Sequence, residues 1–409
     1  MRGLTGRSYA VTVVAAVALA GVSAFGPAAG HRGTAAATSV TWTRISANTG
    51  EASASAGMLR TADGRLHVVW QSNDHANGFS LHYSTLGTRA KLVNTGRFLS
   101  SWAALTTYPR LVPGPGGGIR LVFTGANGIN GSPFNLSTMY SATSGPGGAT
   151  WTLTPGSMSQ SKLVPLTDDA AVNESNGTPV AGWSAGAAFA FHVGVDPTTP
   201  ATAPDRSVGT GAGGNVVGPT MARDKAGKIW AGWFDGSFKA DQGYYVDQIL
   251  PSAKARVKAP GSGGNTANNQ PLEAVAFTAR VGGGLYLAYC VPTKTVPCAH
   301  IALWRNGSAK ARVVPGSATG HASHVAIAAG PSGHLSIAWY DSGLNKIRVV
   351  RTNAAATGFG SARTISAPPS TIAFDGLQLQ GSKGPLDVIA LTLQNKTGVT
   401  AFWATELPS

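Results

Sequence analysis

Carboxylates are scarce in this chain. Aspartate and glutamate total 17 of 409 residues against 31 lysines and arginines, for a formal net charge of +14 at pH 7. Glutamate occurs only at Glu51, Glu174, Glu273 and Glu406, which leaves few candidates for acid/base chemistry. The basic excess never gathers into a run or onto a helix face. That argues against a nucleic-acid site and for general attraction to polyanions, with anionic glycans or cell-surface polymers as the expected partners. Helical periodicity is missing as well: no window keeps apolar residues at helical spacing for more than about two turns. No long apolar run follows Phe25, so no membrane span is expected after the amino-terminal segment. Cysteine is limited to Cys290 and Cys298. This excludes a disulfide-dense scaffold, and with only His300 nearby it does not supply the four ligands of a closed zinc site. Neither a metal nor a cofactor is expected.

What is present begins with Met1 to Arg7, a short basic stretch, followed by an apolar run from Tyr9 to Phe25 and small residues at Pro27–Ala29 and Ala35–Ala37. This has the layout of a secretory signal, so residues 1–37 are set aside and residues 38–409 are expected to form one domain, secreted or held at the cell surface as a monomer. An uncleaved anchor would leave the rest outside the membrane all the same. In an exported chain the pair Cys290 and Cys298 is expected to be oxidised.

The body of the chain repeats. A turn glycine is followed by apolar residues at the second and fourth positions and an aromatic at the sixth: Gly64 with Leu66, Val68 and Trp70; Gly117 with Ile119, Leu121 and Phe123; Gly177 with Pro179, Ala181 and Trp183. Gly227 leads to Trp233, Gly283 to Tyr289 and Gly333 to Trp339, and a weaker copy starts at Gly384 with Ala390 in the aromatic place. Alternation of period two marks strands with one buried face, and the glycine supplies the positive φ of a tight turn. Copies spaced by about 50–60 residues fit four-stranded propeller blades. The last repeat runs out at Phe402 and Trp403 without a fourth strand, while Val40 to Ile45 alternates like a strand and precedes the first repeat. Pairing the two ends in one blade would remove an exposed edge. The expectation is an all-β, seven-bladed β-propeller closed by its amino-terminal strand. A six-bladed ring is the nearest alternative, and paired β-sandwiches or a β-helix are more distant ones.

After the third strand of the second repeat comes Ser144-Gly145-Pro146-Gly147-Gly148-Ala149-Thr150-Trp151. This resembles the Asp-box hairpin of the sialidase-like (BNR-repeat) propellers, with Pro146 where the box carries aspartate. The fragments Trp233-Phe234-Asp235 and Trp339-Tyr340-Asp341 are similar to those at second-strand ends in that superfamily. The resemblance implies a propeller with the box on the end remote from any chemistry. Sialidase catalysis, which uses three arginines, a tyrosine–glutamate pair and an acidic residue, is not implied. The early Arg-Ile-Pro signature is absent, and the nearest string is Tyr108-Pro109-Arg110-Leu111.

If the first strand of each repeat runs away from the working end, the loops entering first strands and leaving second strands share that end. They carry the candidate residues. Asp235, Asp341, Glu273 and Tyr340 are the candidates for catalysis, the two aspartates holding equivalent positions that a repeated structural hydrogen bond would also explain. Asp74, His75, Trp102, Asp168 and His321 are the candidates for ligand contact. Trp102, in a polar stretch, is suited to stacking on a sugar ring, and Asp168-Asp169 also reads as a turn or cap. The expected function is recognition of extracellular glycans without catalysis. The alternatives are an exo-acting glycoside hydrolase, a polysaccharide lyase, or a protein-interaction platform.

Overall fold

The computed structural model describes residues 40–46, 51–73, 78–106, 108–126, 138–154, 158–159, 166–185, 190–195, 206–208, 216–236, 241–263, 274–381, 384–394 and 400–408. Over these residues the chain is strand and turn, with three-residue 3₁₀ turns at Thr88–Ala90 and Pro115–Gly117. The strands pair into seven antiparallel sheets. The first runs in sequence order through Glu51–Arg60, Leu66–Asn73, Phe79–Leu86 and Leu92–Trp102. The second is built on Ile119–Ala126 and Thr138–Ser144, with Ala104–Leu105 and Arg110–Pro113 sharing its innermost position. The innermost strands of the next four are Leu166–Asn173, Val216–Arg223, Phe277–Ala279 and Ala322–Ala329. The last sheet holds Thr371–Gln380, Leu386–Gln394 and Thr400–Leu407, with Thr43–Arg44 at its outer edge. Successive innermost strands lie beside one another, and the last lies beside the first. Together they surround an axial cavity of about 370 Å³, so the sheets take a propeller arrangement.

The hairpin glycines act as the repeat implies. Gly64, Gly177, Gly227, Gly283 and Gly333 have φ between +81° and +94°. At Gly64, Gly177 and Gly227 an added Cβ would meet nothing within 4 Å. Backbone conformation, rather than space, therefore requires glycine at these turns.

One expectation is corrected. The second strands are buried on both faces, because each sheet is sandwiched between two others. Leu335, Ile337 and Trp339 pack against Tyr286, Ile301 and Leu303 of the fifth sheet. The intervening Ala338 and Tyr340 pack against Phe374, Leu377 and Val388 of the last. Trp183, Trp233 and Trp339 are 0–1 % exposed, as cores of their sheets. In the last sheet, where the repeat has Ala390, Phe402 from the neighbouring strand takes up the role, its ring 5.7 Å from Trp70.

The hairpin Ser144–Trp151 lies at the turn-glycine end and clasps the first sheet to the second. Trp151 stacks on Phe98 at 5.1 Å, and the Tyr83 hydroxyl donates to the Ala149 carbonyl at 2.9 Å.

The two ends of the chain meet in the last sheet. Thr43 faces Ala404 and Arg44 faces Trp403, and the Ile45 N–H donates to the Phe402 carbonyl at 2.9 Å. Polar side-chain contacts also join the first and last sheets. The Gln378 side chain accepts from the Ala56 N–H at 2.9 Å and donates to the Ala56 carbonyl at 2.7 Å, imitating a strand partner. Arg60 forms a two-pronged ion pair with Asp387, Nε to Oδ2 at 2.8 Å, and reaches Glu406 at 3.3 Å. Arg60 and Asp387 are 4 % and 1 % exposed. Burial pushes the Asp387 carboxyl up while the Arg60 guanidinium draws it back. Removing one partner of such a pair leaves a buried charge, so Arg60→Met is expected to cost ~3–5 kcal/mol in urea unfolding, and the double variant Arg60→Met/Asp387→Leu to recover most of it. A single-variant loss below ~1 kcal/mol would show that the pair does not hold the seam.

Candidate functional site

The channel-side end is formed by the starts of the innermost strands and the ends of the second strands, which pair as Ala104 with Ala126, Val216 with Asp235 and Ala322 with Asp341. Innermost strands of several sheets carry a register shift close to this end: between Ala52 and Ala56, Thr167 and Asp169, Val217 and Thr220, and Ser323 and Ala326. Each shift bends the strand and re-aims the residues that follow. In the sixth sheet it coincides with His324 at φ +51°.

Small and apolar residues such as Ala56, Gly57, Ala170 and Ala326 form most of the cavity wall, and Arg110 is the one charged side chain on it among the described residues. Arg110 Nε donates to the Asp169 carbonyl at 2.6 Å and Nη2 to the Pro219 carbonyl at 3.4 Å, and its guanidinium lies 5.7 Å from the Tyr108 ring centre. A residue of the second sheet is thus held by the third and fourth. Asp169, fully buried, accepts from the Thr124 N–H at 2.8 Å and from its hydroxyl at 3.3 Å. Burial pushes its carboxyl up to about 7, against the pull of Thr124, Thr106 and Arg110.

Asp235 ends the strand Ile229–Asp235, 0 % exposed, with Arg256 Nη1 3.4 Å from its Oδ2. Arg256 lies 4.5 Å over the Tyr245 ring, which stacks on Trp233. On the same strand as Tyr245, burial pushes Asp247 up to about 7, with the Gln248 N–H and Arg256 opposing. Asp341 repeats the arrangement: it is 0 % exposed, with Arg348 Nη1 at 3.6 Å, and Arg348 stands 5.9 Å over Trp339. The two aspartates are therefore equivalent in environment as in sequence, each tied to an arginine of its own sheet, and neither lines the cavity. Tyr340 stacks on Phe374 at 4.1 Å and donates to Asn345 Oδ1 at 3.1 Å; burial and then Asp341 hold its hydroxyl above the usual range.

Trp102 is a correction. It does not sit in a polar setting: it is 5 % exposed, edge-on to Tyr140 at 4.8 Å and 5.7 Å from Phe123, a core residue between the first two sheets. His321 is exposed at the channel-side end, where its carbonyl accepts from the Ser342 N–H at 3.0 Å. Asp168 lies within the strand Leu166–Asn173, not in a turn, at the register shift before Asp169. Glu273, Asp74 and His75 lie outside the described residues. Cys290 and Cys298 are bridged, with Cα atoms 4.8 Å apart, closing the loop between the second and third strands of the fifth sheet. Arg256, Arg348 and Asp247 were not singled out by the sequence pattern. For Asp247 there was one signal, a lone carboxylate inside the otherwise uncharged strand Gly243–Leu250. The arginines stand at unequal distances from their aspartates and gave none.

No family model matches the chain, and no curated protein matches it. Solved structures do. A protein of unknown function from Dyadobacter fermentans DSM 18053 aligns over 89 % of this chain and 97 % of its own, at 12 % identity and a TM-score of 0.51. The polysaccharide lyase Uly1 aligns over 88 % and 90 %, at 11 % identity and a TM-score of 0.52. An α-L-arabinanase from Penicillium chrysogenum, complexed with arabinobiose, aligns over 90 % and 98 %, at 12 % identity and a TM-score of 0.48. At these identities the likeness is one of fold.

The raised carboxyls of Asp169 and Asp247 make stability depend on pH. The folded chain keeps their protons up to about 7, whereas the unfolded chain releases them near 3.8. Their cost to folding is absent below that lower value, grows as pH rises and is complete above about 7. The urea midpoint should therefore fall between pH 5 and pH 7.5, and Asp169→Asn/Asp247→Asn should flatten that decline; an unchanged slope in the double variant would contradict the assignment.

Proposed function

We propose that this chain is an exported, seven-bladed propeller of the sialidase-like kind that recognises anionic extracellular glycans at its channel-side end, as a binding module rather than a hydrolase. Arg110 carries the reading. A guanidinium fixed by carbonyls of two further sheets, on an otherwise uncharged axial cavity, is a pre-positioned counter-charge for a uronate or sulfate group. The basic excess, which remains after Arg2, Arg7 and Arg32 of the amino-terminal segment are set aside, favours the approach of the same ligands. The small, apolar wall suits the apolar faces of sugar rings, and the bulged innermost strands turn their residues toward that end.

Seven blades is the count that the seven sheets support, since innermost strands from all of them line one cavity. The hairpin Ser144–Trp151 supports kinship with the Asp-box propellers, being at the end that such a box occupies. Export is supported by the bridge Cys290–Cys298. Asp235 and Asp341, buried and engaged by arginines, serve the blades in this arrangement, which favours binding over acid/base catalysis. His321, exposed at the working end, would add a contact to the ligand.

Binding of uronate-bearing, sulfated and neutral oligosaccharides by calorimetry, with hydrolysis followed on the same sugars, tests the reading. Anionic oligosaccharides should bind without turnover, Arg110→Gln should weaken them at least tenfold, and Arg110→Lys should retain part of the affinity with an unchanged melting temperature. Turnover abolished by Asp235→Asn or Asp341→Asn would make the protein an enzyme, and absence of any glycan binding would overturn the reading altogether.

A further inference from the structure

At the opposite end of the molecule, the sixth and last sheets diverge around a second cavity of about 590 Å³, within the size range of small-molecule sites. The sheet register gives it a distinct chemistry. Val349 pairs with Arg363 and Ile347 with Ile365, so Val349, Arg351, Arg363 and Ile365 share one sheet face, with Arg351 diagonal to Arg363. Diagonal neighbours stand roughly 7 Å apart, close enough for both guanidinium groups to reach one anionic group. Ser336 pairs with Arg351, which places His334 farther along the same face; its Nδ1 meets the Thr352 carbonyl at 2.5 Å, leaving Nε2 for another partner. Arg89 completes the cationic lining.

Among the described residues the one carboxylate on this cavity, Glu406, is already engaged. It accepts from Arg60 at 3.3 Å and from the Arg89 N–H at 3.0 Å. Among the described residues neither Arg351 nor Arg363 has a carboxylate within ion-pairing distance, whereas Arg60, Arg256 and Arg348 each do. The remaining wall is mixed: the aliphatic Ile365, Leu386 and Leu407 stand among the hydroxyl residues Thr41, Ser332, Ser336, Ser361 and Thr405. A cavity in which paired cations stand beside aliphatic side chains, Val349 and Ile365 on their own sheet face and Leu386 and Leu407 from the last sheet, matches a molecule that is anionic at one end and apolar along its body.

We propose that this cavity between the sixth and last sheets binds an amphipathic organic anion, its carboxylate or phosphate held by Arg351 and Arg363 and its apolar body lying along Ile365, Leu386 and Leu407. The site is separate from the channel-side end and needs nothing of the glycan reading.

Calorimetric titration of the full chain with octanoate and with octyl phosphate tests it, with octanol and inorganic phosphate as controls. The expected result is saturable one-to-one binding of at least one octyl anion, weaker at high salt, and at least tenfold weaker binding of either control. Whichever octyl anion binds more tightly identifies the head group. Arg351→Ala/Arg363→Ala should weaken the octyl anion at least tenfold, Arg351→Lys/Arg363→Lys should retain much of the binding, and Ser361→Trp at the exposed rim should block it. Melting temperatures report whether each variant is folded. No saturable binding by either octyl anion, or binding unaffected by both the alanine pair and Ser361→Trp, would overturn the proposal.

Discussion

Closure of the ring is the constraint on which the rest of this structure depends. Each sheet buries both faces only because it has a neighbour on each side, so a gap anywhere would expose two apolar faces to water. The gap is closed where the chain begins and ends. Backbone pairing of Thr43–Arg44 with the last strand, the Gln378 side chain standing in for a strand partner of Ala56, and the buried pair Arg60–Asp387 all act at the same seam. All three are polar and directional. That suits a joint where the two surfaces to be matched lie more than 300 residues apart in sequence and must meet in one register.

Charge in this protein is used locally. The aspartates at the ends of the fourth and sixth sheets' second strands are each neutralised by an arginine that also covers an aromatic ring, so a carboxylate, a guanidinium and a tryptophan core recur as one unit. With so few carboxylates in the chain, engaging them inside blades leaves the surplus arginines facing cavities and solvent. Arg110 on the axis and Arg351 with Arg363 at the far end stand on the walls of the two cavities.

Much of the architecture was legible in the sequence because it rests on local chemistry. Turn glycines with positive φ, period-two alternation ending in an aromatic, and a terminal strand with no partner of its own all leave marks within a few residues of where they act. The bridge Cys290–Cys298 was legible for the same reason. Two-sided burial was missed although intervening positions such as Tyr286, Ala288 and Ala338 are themselves apolar, the mark of a strand covered on both faces. Trp102 was misread because its polar flanks, Ser100 and Ser101, say nothing of Tyr140 and Phe123, which fold over it from the second sheet. The arginine partners were hidden as well: Arg348 follows Asp341 by one hairpin, whereas Arg256 reaches Asp235 from beyond the third strand, and no fixed spacing joins the two cases.

The pairing of the chain's two ends can be trapped covalently. Thr43 and Ala404 are directly opposed across antiparallel strands, a separation that a disulfide can span, so Thr43→Cys/Ala404→Cys should oxidise spontaneously. The most direct measurement is peptide mass mapping of the oxidised double variant together with its melting temperature. Closure predicts a linked 43–404 peptide alongside the native 290–298 bridge and a higher melting temperature than the reduced form. Two free thiols in a folded protein would contradict it.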